Sequence, residues 1–331
     1  MSMLRATLAA ILSTLAFTAI AQSPSTSSGQ AYPAKPVRMV VPWPPGGTND
    51  ILGRALAEPL GRALNQTVIV DNRGGSNGII GAEAVARAPG DGYTIMFHSI
   101  TSHVTNPAVY KKLSYDTIND FTPITQIAWV PLVIVVHPSF PAKNVRELIA
   151  IARAQPGQVN YASFGQGSMS HLAGELLKMM AKTDIVHIPY KGGGPALIDT
   201  LAGHVPVYFS SIAPSLPNIK AGRLRALAMT GTDRAKQLPD IPTVAETPGL
   251  KGYDATIMYA IWAPAKTPRE IVNHLRGAII KVIQTPQFKD RLDFEGASEP
   301  IGNTPEQMAT TIQADMKKLT RLVQVSGLQP Q

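Results

Sequence analysis

The chain alternates short apolar runs with segments of helical spacing. Val37 to Trp43 reads as a short apolar strand. Asp50 to Leu64 places Ile51, Leu52, Ala55, Leu56 and Leu60 on one helical side, with Pro59 set to kink or end its regular part. Thr67–Val70, Gly78–Ala88 and Tyr93–His98 continue the series as strand, helix and strand. Such a β-α-β-α-β order predicts a sheet covered by helices. Ile127 to Val136 then breaks the rhythm as a long apolar stretch, expected to be a strand passing from one domain to the next.

A second series follows. The pattern predicts helices over 144–155, 169–182, 195–202 and 214–221, and strands over 159–163, 185–188, 205–210 and 224–229. Met258 to Trp262 is a further apolar strand that crosses back. The last helices are expected near 268–284 and 304–325, each opened by a threonine-proline pair, Thr267-Pro268 and Thr304-Pro305. The expected organisation is α/β with two domains. Residues 32–130 and 253–331 form the first, 131–252 are inserted as the second, and a hinge and cleft lie between them.

The N-terminus changes the picture of where this chain works. Arg5, an apolar run from Ala6 to Ile20 and Ala19-Ile20-Ala21 fit a cleaved export signal over 1–21. A Ser/Gln/Gly-rich stretch over 22–31 reads as a flexible leader. With no cysteine, disulfides, thiol metal ligands and a lipid-bearing cysteine are all excluded. The formal charge of +8 comes from scattered basic residues, without an arginine-rich arm or basic-aromatic alternation, which argues against nucleic acid. Simple solubility, or a mild field that attracts anions, fits better.

Candidate chemistry gathers at three glycine-rich turns between strand and helix: Pro42 to Asp50, Ser163 to Ser170, and Pro189 to Gly194. Glycine allows close backbone approach, and a helix N-terminus offers unpaired N–H groups and a positive dipole end. Such a terminus holds a carboxylate without an arginine. Any single turn could equally be an ordinary capped connection. Thr48, Asn49, Ser163, Ser168 and Ser170 add side-chain donors. Gly165-x-Gly167 lacks the third glycine of a dinucleotide fingerprint, since Ser170 stands there. Gly74 to Gly78 lacks the ending of a phosphate loop. The seven histidines, at 98, 103, 137, 171, 187, 204 and 274, show no metal-ligand spacing. Trp43 either belongs to the core or walls the cleft, where it could stack on a flat ligand.

As a set, these stretches resemble the Bug-type substrate-binding proteins of tripartite tricarboxylate transporters. The matching segments are Val41 to Asp50, Val70 to Gly75, Ala88 to Tyr93, Tyr161 to Glu175, Pro189 to Gly192 and Leu238 to Glu246. The resemblance runs from about Tyr32 to the C-terminus. It implies a type II-like, two-domain periplasmic binding fold that closes on its ligand. It also implies a small carboxylate ligand (a di- or tricarboxylate or an aromatic acid) and the permease subunits of such a transporter as partners. A monomer with no cofactor and no catalytic role is expected. Carried over, the ligand contacts are Gly46, Gly47, Thr48 and Asn49 of the first turn and Ser163, Gly165, Gln166, Gly167 and Ser168 of the second. Trp43, Ser99, Tyr190 and Ser210 complete the set.

Three departures bear on the ligand. Trp43 stands where phenylalanine is frequent. Phe209-Ser210-Ser211 lacks an acid that many members carry, which disfavours an amino-acid ligand. Met258-Tyr259-Ala260 alters an aromatic-glycine feature. Two other functions remain open at this level: an accessory protein that senses a ligand for a signalling system, and a serine hydrolase using Ser168 and His171.

Overall fold

The computed structural model describes residues 32–325 and 328. The export signal and leader expected over 1–31 lie outside the described residues. The first series builds β1 (Val37–Val41), α1 (Thr48–Leu64), β2 (Val68–Asn72), α2 (Ile79–Ala86), β3 (Thr94–Ser99) and α3 (Ile100–Val109). A 16-residue strand, β4 (Phe121–Val136), leads into α4 (Val145–Ala154), β5 (Val159–Ser163), α5 (Met169–Ala181) and β6 (Ile185–Pro189). Then come α6 (Gly193–Leu201), β7 (Val207–Ser211), α7 (Ile212–Lys220), β8 (Arg225–Met229) and β9 (Thr256–Pro264). The chain closes with α8 (Arg269–Ile283), α9 (Pro286–Phe294) and α10 (Pro305–Val325).

The strands run in the order β2-β1-β3-β9-β4-β7-β5-β6, with β8 also paired to β4. β1, β2 and β3 are parallel to one another, as are β5, β6 and β7, while β9 is antiparallel to both β3 and β4. The long β4 changes partners along its length. Phe121 to Pro131 pairs with β9, whereas Leu132 to Val136 pairs with β7 and β8. Burial follows position in the sheet. All six residues of the interior β3 are buried, while the edge strands β2 and β6 expose Ile69 and Val186. This is the pattern of parallel strands covered by helices on both faces.

The exchange of partners falls between Pro131 and Leu132. Proline brings no N–H to a ladder, which suits a point where pairing breaks. Thr230 bridges the gap. Its hydroxyl accepts the Leu132 N–H at 2.8 Å and donates to the Ala255 carbonyl at 2.7 Å. Its backbone N–H reaches the Leu132 carbonyl, and its carbonyl takes the Ala255 N–H, both at 2.9 Å. One buried threonine therefore ties β4 to the strand that enters β9.

The periodic elements appear where the hydrophobic pattern puts them, with three differences. α3 was not anticipated, because Thr101, Thr105, Asn106 and Pro107 give Ile100–Val109 poor helix propensity. Burial of nearly the whole element supplies what propensity does not. α9 is equally invisible to periodicity, since its buried residues are Phe288 and Leu292 alone. Its start was nevertheless marked by the N-cap Thr285 before Pro286. β4 begins at Phe121 rather than Ile127, because Thr122, Thr125 and Gln126 interrupt the apolar run while their backbones still pair with β9.

Thr230→Val should leave the fold intact but lower stability by about 1–3 kcal/mol, because it removes the hydroxyl from a buried N–H and a buried carbonyl. Urea unfolding of the two proteins measures this. An unchanged midpoint would show that the partner exchange does not depend on Thr230.

Candidate ligand-binding cleft

The first turn leaves β1 and enters α1. Gly46 has φ +88°, a left-handed conformation that glycine adopts without strain, and its N–H is drawn back to Asp50 Oδ2 at 3.0 Å. Gly47 is the N-cap residue of α1, and a Cβ added there would meet only open space. α2 holds the turn from behind: Gly81 packs so closely that a Cβ would lie 2.7 Å from Pro42 Cα. The third turn is similar. Gly192 has φ +114° and caps α6, its N–H donates to the Phe164 carbonyl at 3.0 Å, and Tyr208 donates to the Gly193 carbonyl at 3.1 Å.

These two turns face each other across a cavity of about 70 Å³. Trp43, Pro44, Pro45, Gly47, Thr48 and Asn49 form one wall; Gly192, Gly193, Gly194, Pro195, Phe164, Ser211 and Tyr259 form the rest. Pro44 lies close to Gly192 across the gap, its Cγ 3.4 Å from where a Cβ on that glycine would sit. No ionisable acid or base other than the Tyr259 phenol lines this cavity among the described residues. What faces it are the N-terminal ends of α1 and α6 and the start of α7 at Ser211. Those ends carry backbone N–H groups that a helix cannot satisfy itself. Asn49 adds a buried side chain whose Oδ1 has no partner among the described residues.

Trp43 proves to be both core and wall. It is buried, and its indole N–H donates to His98 Nδ1 at 3.2 Å, leaving an apolar surface toward the cavity. His98 is itself buried, and burial first, then the neighbouring His103, holds it neutral by lowering its pKa well below the usual value. Accepting at Nδ1 fixes its remaining proton on Nε2.

The second turn is organised differently. Ser163 Oγ meets His187 Nε2 at 2.6 Å and accepts the Gly165 N–H at 3.0 Å. The Gly167 N–H donates to His171 Nδ1 at 3.1 Å, and the Gly167 carbonyl accepts Thr105 Oγ1 at 2.9 Å. His171 and His187 stack at 3.6 Å with an 8° tilt. The polar groups of this turn are thus held by an imidazole pair, His171 buried and His187 half-buried, and by α3. Only Phe164 from this stretch reaches the cavity.

The structure therefore brings together Trp43, Gly47, Thr48 and Asn49 of the expected contacts. Gly46, Ser99, Ser163, Gly165, Gln166, Gly167, Ser168, Tyr190 and Ser210 stand outside the cavity lining. Ser99 caps α3, and Ser210 Oγ is engaged by Ser215 Oγ at 2.6 Å. The Tyr190 phenol donates to Asp199 at 2.8 Å. Ser211, Tyr259, Phe164 and the glycines of the third turn were not singled out as contacts. The signal for the glycines was present, since they precede a helix after a strand.

The Ser168–His171 pairing required by a hydrolase is not formed. Ser168 Oγ accepts the His171 backbone N–H as a helix cap and donates to the Gly165 carbonyl at 2.6 Å, while the ring of His171 serves Gly167. Neighbours along a helix start meet through the cap, not through the ring.

A sequence profile of the tripartite tricarboxylate transporter family receptor matches residues 52–328. Protein BugT of Bordetella pertussis is 34% identical over 312 residues, 94% of this chain and 95% of its own. The chain belongs to this receptor family. Among solved structures, an R. palustris protein with adipate is similar at a TM-score of 0.86 and 35% identity, over 91% of this chain and 100% of that one. The periplasmic binding protein BugD is similar at 0.84 and 34% identity, over 91% and 100%. The tricarboxylate-type receptor described here is thus a solute-binding protein with the α/β fold of its periplasmic relatives.

The stacked imidazoles set an acid limit on this receptor. Burial lowers His171 to about 2, helped by His187 and Lys178, and lowers His187 to about 3, helped by Lys178. In the unfolded chain both take up protons below about pH 6.5. The unfolded state therefore binds more protons as pH falls from there toward about 3, and stability declines through that window. Each group can contribute up to about 1.4 kcal/mol per pH unit. His187→Gln is expected to flatten the decline in urea midpoint between about pH 6 and 4. Identical slopes in both proteins would contradict a neutral His187.

Proposed function

We propose that the protein works in the periplasm, captures a small carboxylate in the cleft between α1 and α6, and delivers it to a tripartite tricarboxylate-type permease. The observation that carries this reading is a cavity faced by two helix N-termini and, among the described residues, lacking charged side chains. Backbone N–H groups stabilise an anion without a counter-charge, and hydrogen bonds to a charged group are the strong ones. The absence of a lining carboxylate leaves an ammonium group without a partner, which favours a ligand with no amine. The apolar faces of Trp43, Phe164, Pro195 and Tyr259 suit a hydrocarbon or aromatic body between the acid groups. The adipate bound by the R. palustris relative is such a molecule.

Capture entails movement. A cavity of about 70 Å³ is smaller than the roughly 300–1,000 Å³ of common ligand pockets. In our reading 32–130 with 253–331 and 131–252 act as two domains, hinged where β4 and β9 cross, and close on the ligand as a monomer. No chemical turnover is involved. The serine-histidine contact of the second turn, Ser163 with His187, lies on a fully buried serine that also serves the turn.

Isothermal titration with adipate, shorter dicarboxylates and aromatic diacids tests this reading. At least one should bind and raise the melting temperature, and Asn49→Ala should weaken it about 10- to 100-fold by removing a hydrogen bond to a charged group. A folded protein that binds none of these acids would sink the proposal.

A further inference from the structure

Glu295 follows α9 and is completely buried. An ionised carboxylate in such a place needs partners. Arg291 Nη2 donates to its Oε1 at 3.2 Å, and the Thr48 hydroxyl donates to its Oε2 at 2.9 Å. Thr48 opens α1 and lines the cleft. A buried negative charge thus stands one hydroxyl behind the N-terminal end of α1. While Glu295 is ionised, the Thr48 proton is committed to it, so this hydroxyl offers the cleft lone pairs only. The charge also offsets the positive end of the helix. Both effects oppose an incoming anion.

Arg291, on α9, cancels part of that charge, and no second cation pairs with it among the described residues. On α1, Asp50 is engaged by Arg54 at 2.8 Å and by the Gly46 N–H. On β9, Tyr259 lines the same cleft; its phenol is pushed up by burial and by the charge of Glu295, and drawn back by a hydrogen bond with the Thr48 side chain. Beyond α9, Lys236 is paired with Asp293 at the surface, and Ile212 of α7 packs against Gly296. Burial holds the Glu295 carboxyl above the ordinary carboxylate range, against the opposing pull of Thr48 and Arg291.

We propose that Glu295 is a specificity-determining residue of the cleft, coupling capture of a carboxylate at α1 to uptake of one proton from solvent. The inference rests on the carboxylate-binding reading above. Glu295 takes the proton as the anion arrives. Its new O–H then donates to Thr48 Oγ1, and the Thr48 hydroxyl turns to donate to the ligand oxygen. The cleft gains a donor, and the buried region gains no net charge. Affinity for an acid then rises as pH falls, by up to about tenfold per pH unit wherever Glu295 is ionised in the free protein and protonated in the complex. A neutral ligand gains nothing from the same step.

The test is titration calorimetry of the exported protein with adipate between about pH 6.5 and 8.5, where the acid itself is fully ionised. Runs in phosphate and in Tris, whose ionisation heats differ, count the protons taken up. The expected result is net proton uptake on adipate binding, largest toward the acid end of that range. Glu295→Gln should abolish the uptake, make affinity independent of pH and tighten binding at the alkaline end about tenfold. Thr48→Val, which keeps the carboxylate and removes the relay, should reduce the uptake by half or more. Adipate binding without proton uptake, or unchanged uptake in either folded variant, would overturn the coupling while leaving the function standing. No binding of adipate or of any acid in the panel at any pH would overturn the functional reading, and this inference with it.

Discussion

The antiparallel pairing of β4 with β9 is the constraint on which the rest of the structure depends. Both strands are central in the order of the sheet, and they join its β2-β1-β3 side to its β7-β5-β6 side. β4 is a single continuous element, so its two sets of partners are placed by one backbone. The turns that surround the cavity hang from strands on both sides of this pair. Trp43 to Asn49 follow β1, the glycines at 192–194 follow β6, and Tyr259 belongs to β9 itself. A change in how β4 meets β9 therefore changes the cavity directly. Thr230 matters for the same reason, since it ties the strands where ladder pairing gives way.

Around that pair, the proposed capture of an anion poses one electrostatic problem. An anion in a low-dielectric cleft needs donors that do not themselves carry a charge needing compensation. Helix ends supply them, and glycine at the entry lets the ligand approach. The histidines nearby are kept neutral by burial, and His98 and His171 act as fixed acceptors rather than as charges. His98 orients the indole of Trp43, and His171 with Ser163 and His187 holds the second turn. Glu295 is the exception, a buried acid placed behind the Thr48 hydroxyl that lines the cleft.

Much of the fold was legible along the chain. Alternating apolar strands and amphipathic helices gave the α/β class. The length and apolarity of Ile127–Val136 marked most of β4, and Thr304-Pro305 marked the start of α10, whereas α8 is capped by Pro268 itself rather than by Thr267. The first turn was legible as well, because Trp43, Gly47, Thr48 and Asn49 are neighbours in sequence and in space. α3 escaped because its stability comes from what it packs against, which no local pattern carries, and α9 because Phe288 and Leu292 alone mark its buried side.

The sequence by itself determined the element order, the glycine turns, the lack of cysteine chemistry and the family. Only the tertiary structure decided which turns share a cavity. Strand order puts the third turn opposite the first, while two stacked imidazoles and α3 draw the second turn's polar groups inward. It also decided that Glu295 belongs beside Thr48, 247 residues away. The reason is physical: local propensity and spacing act over a few residues, whereas hydrogen bonds, burial and charge act between groups that only the packed chain brings together.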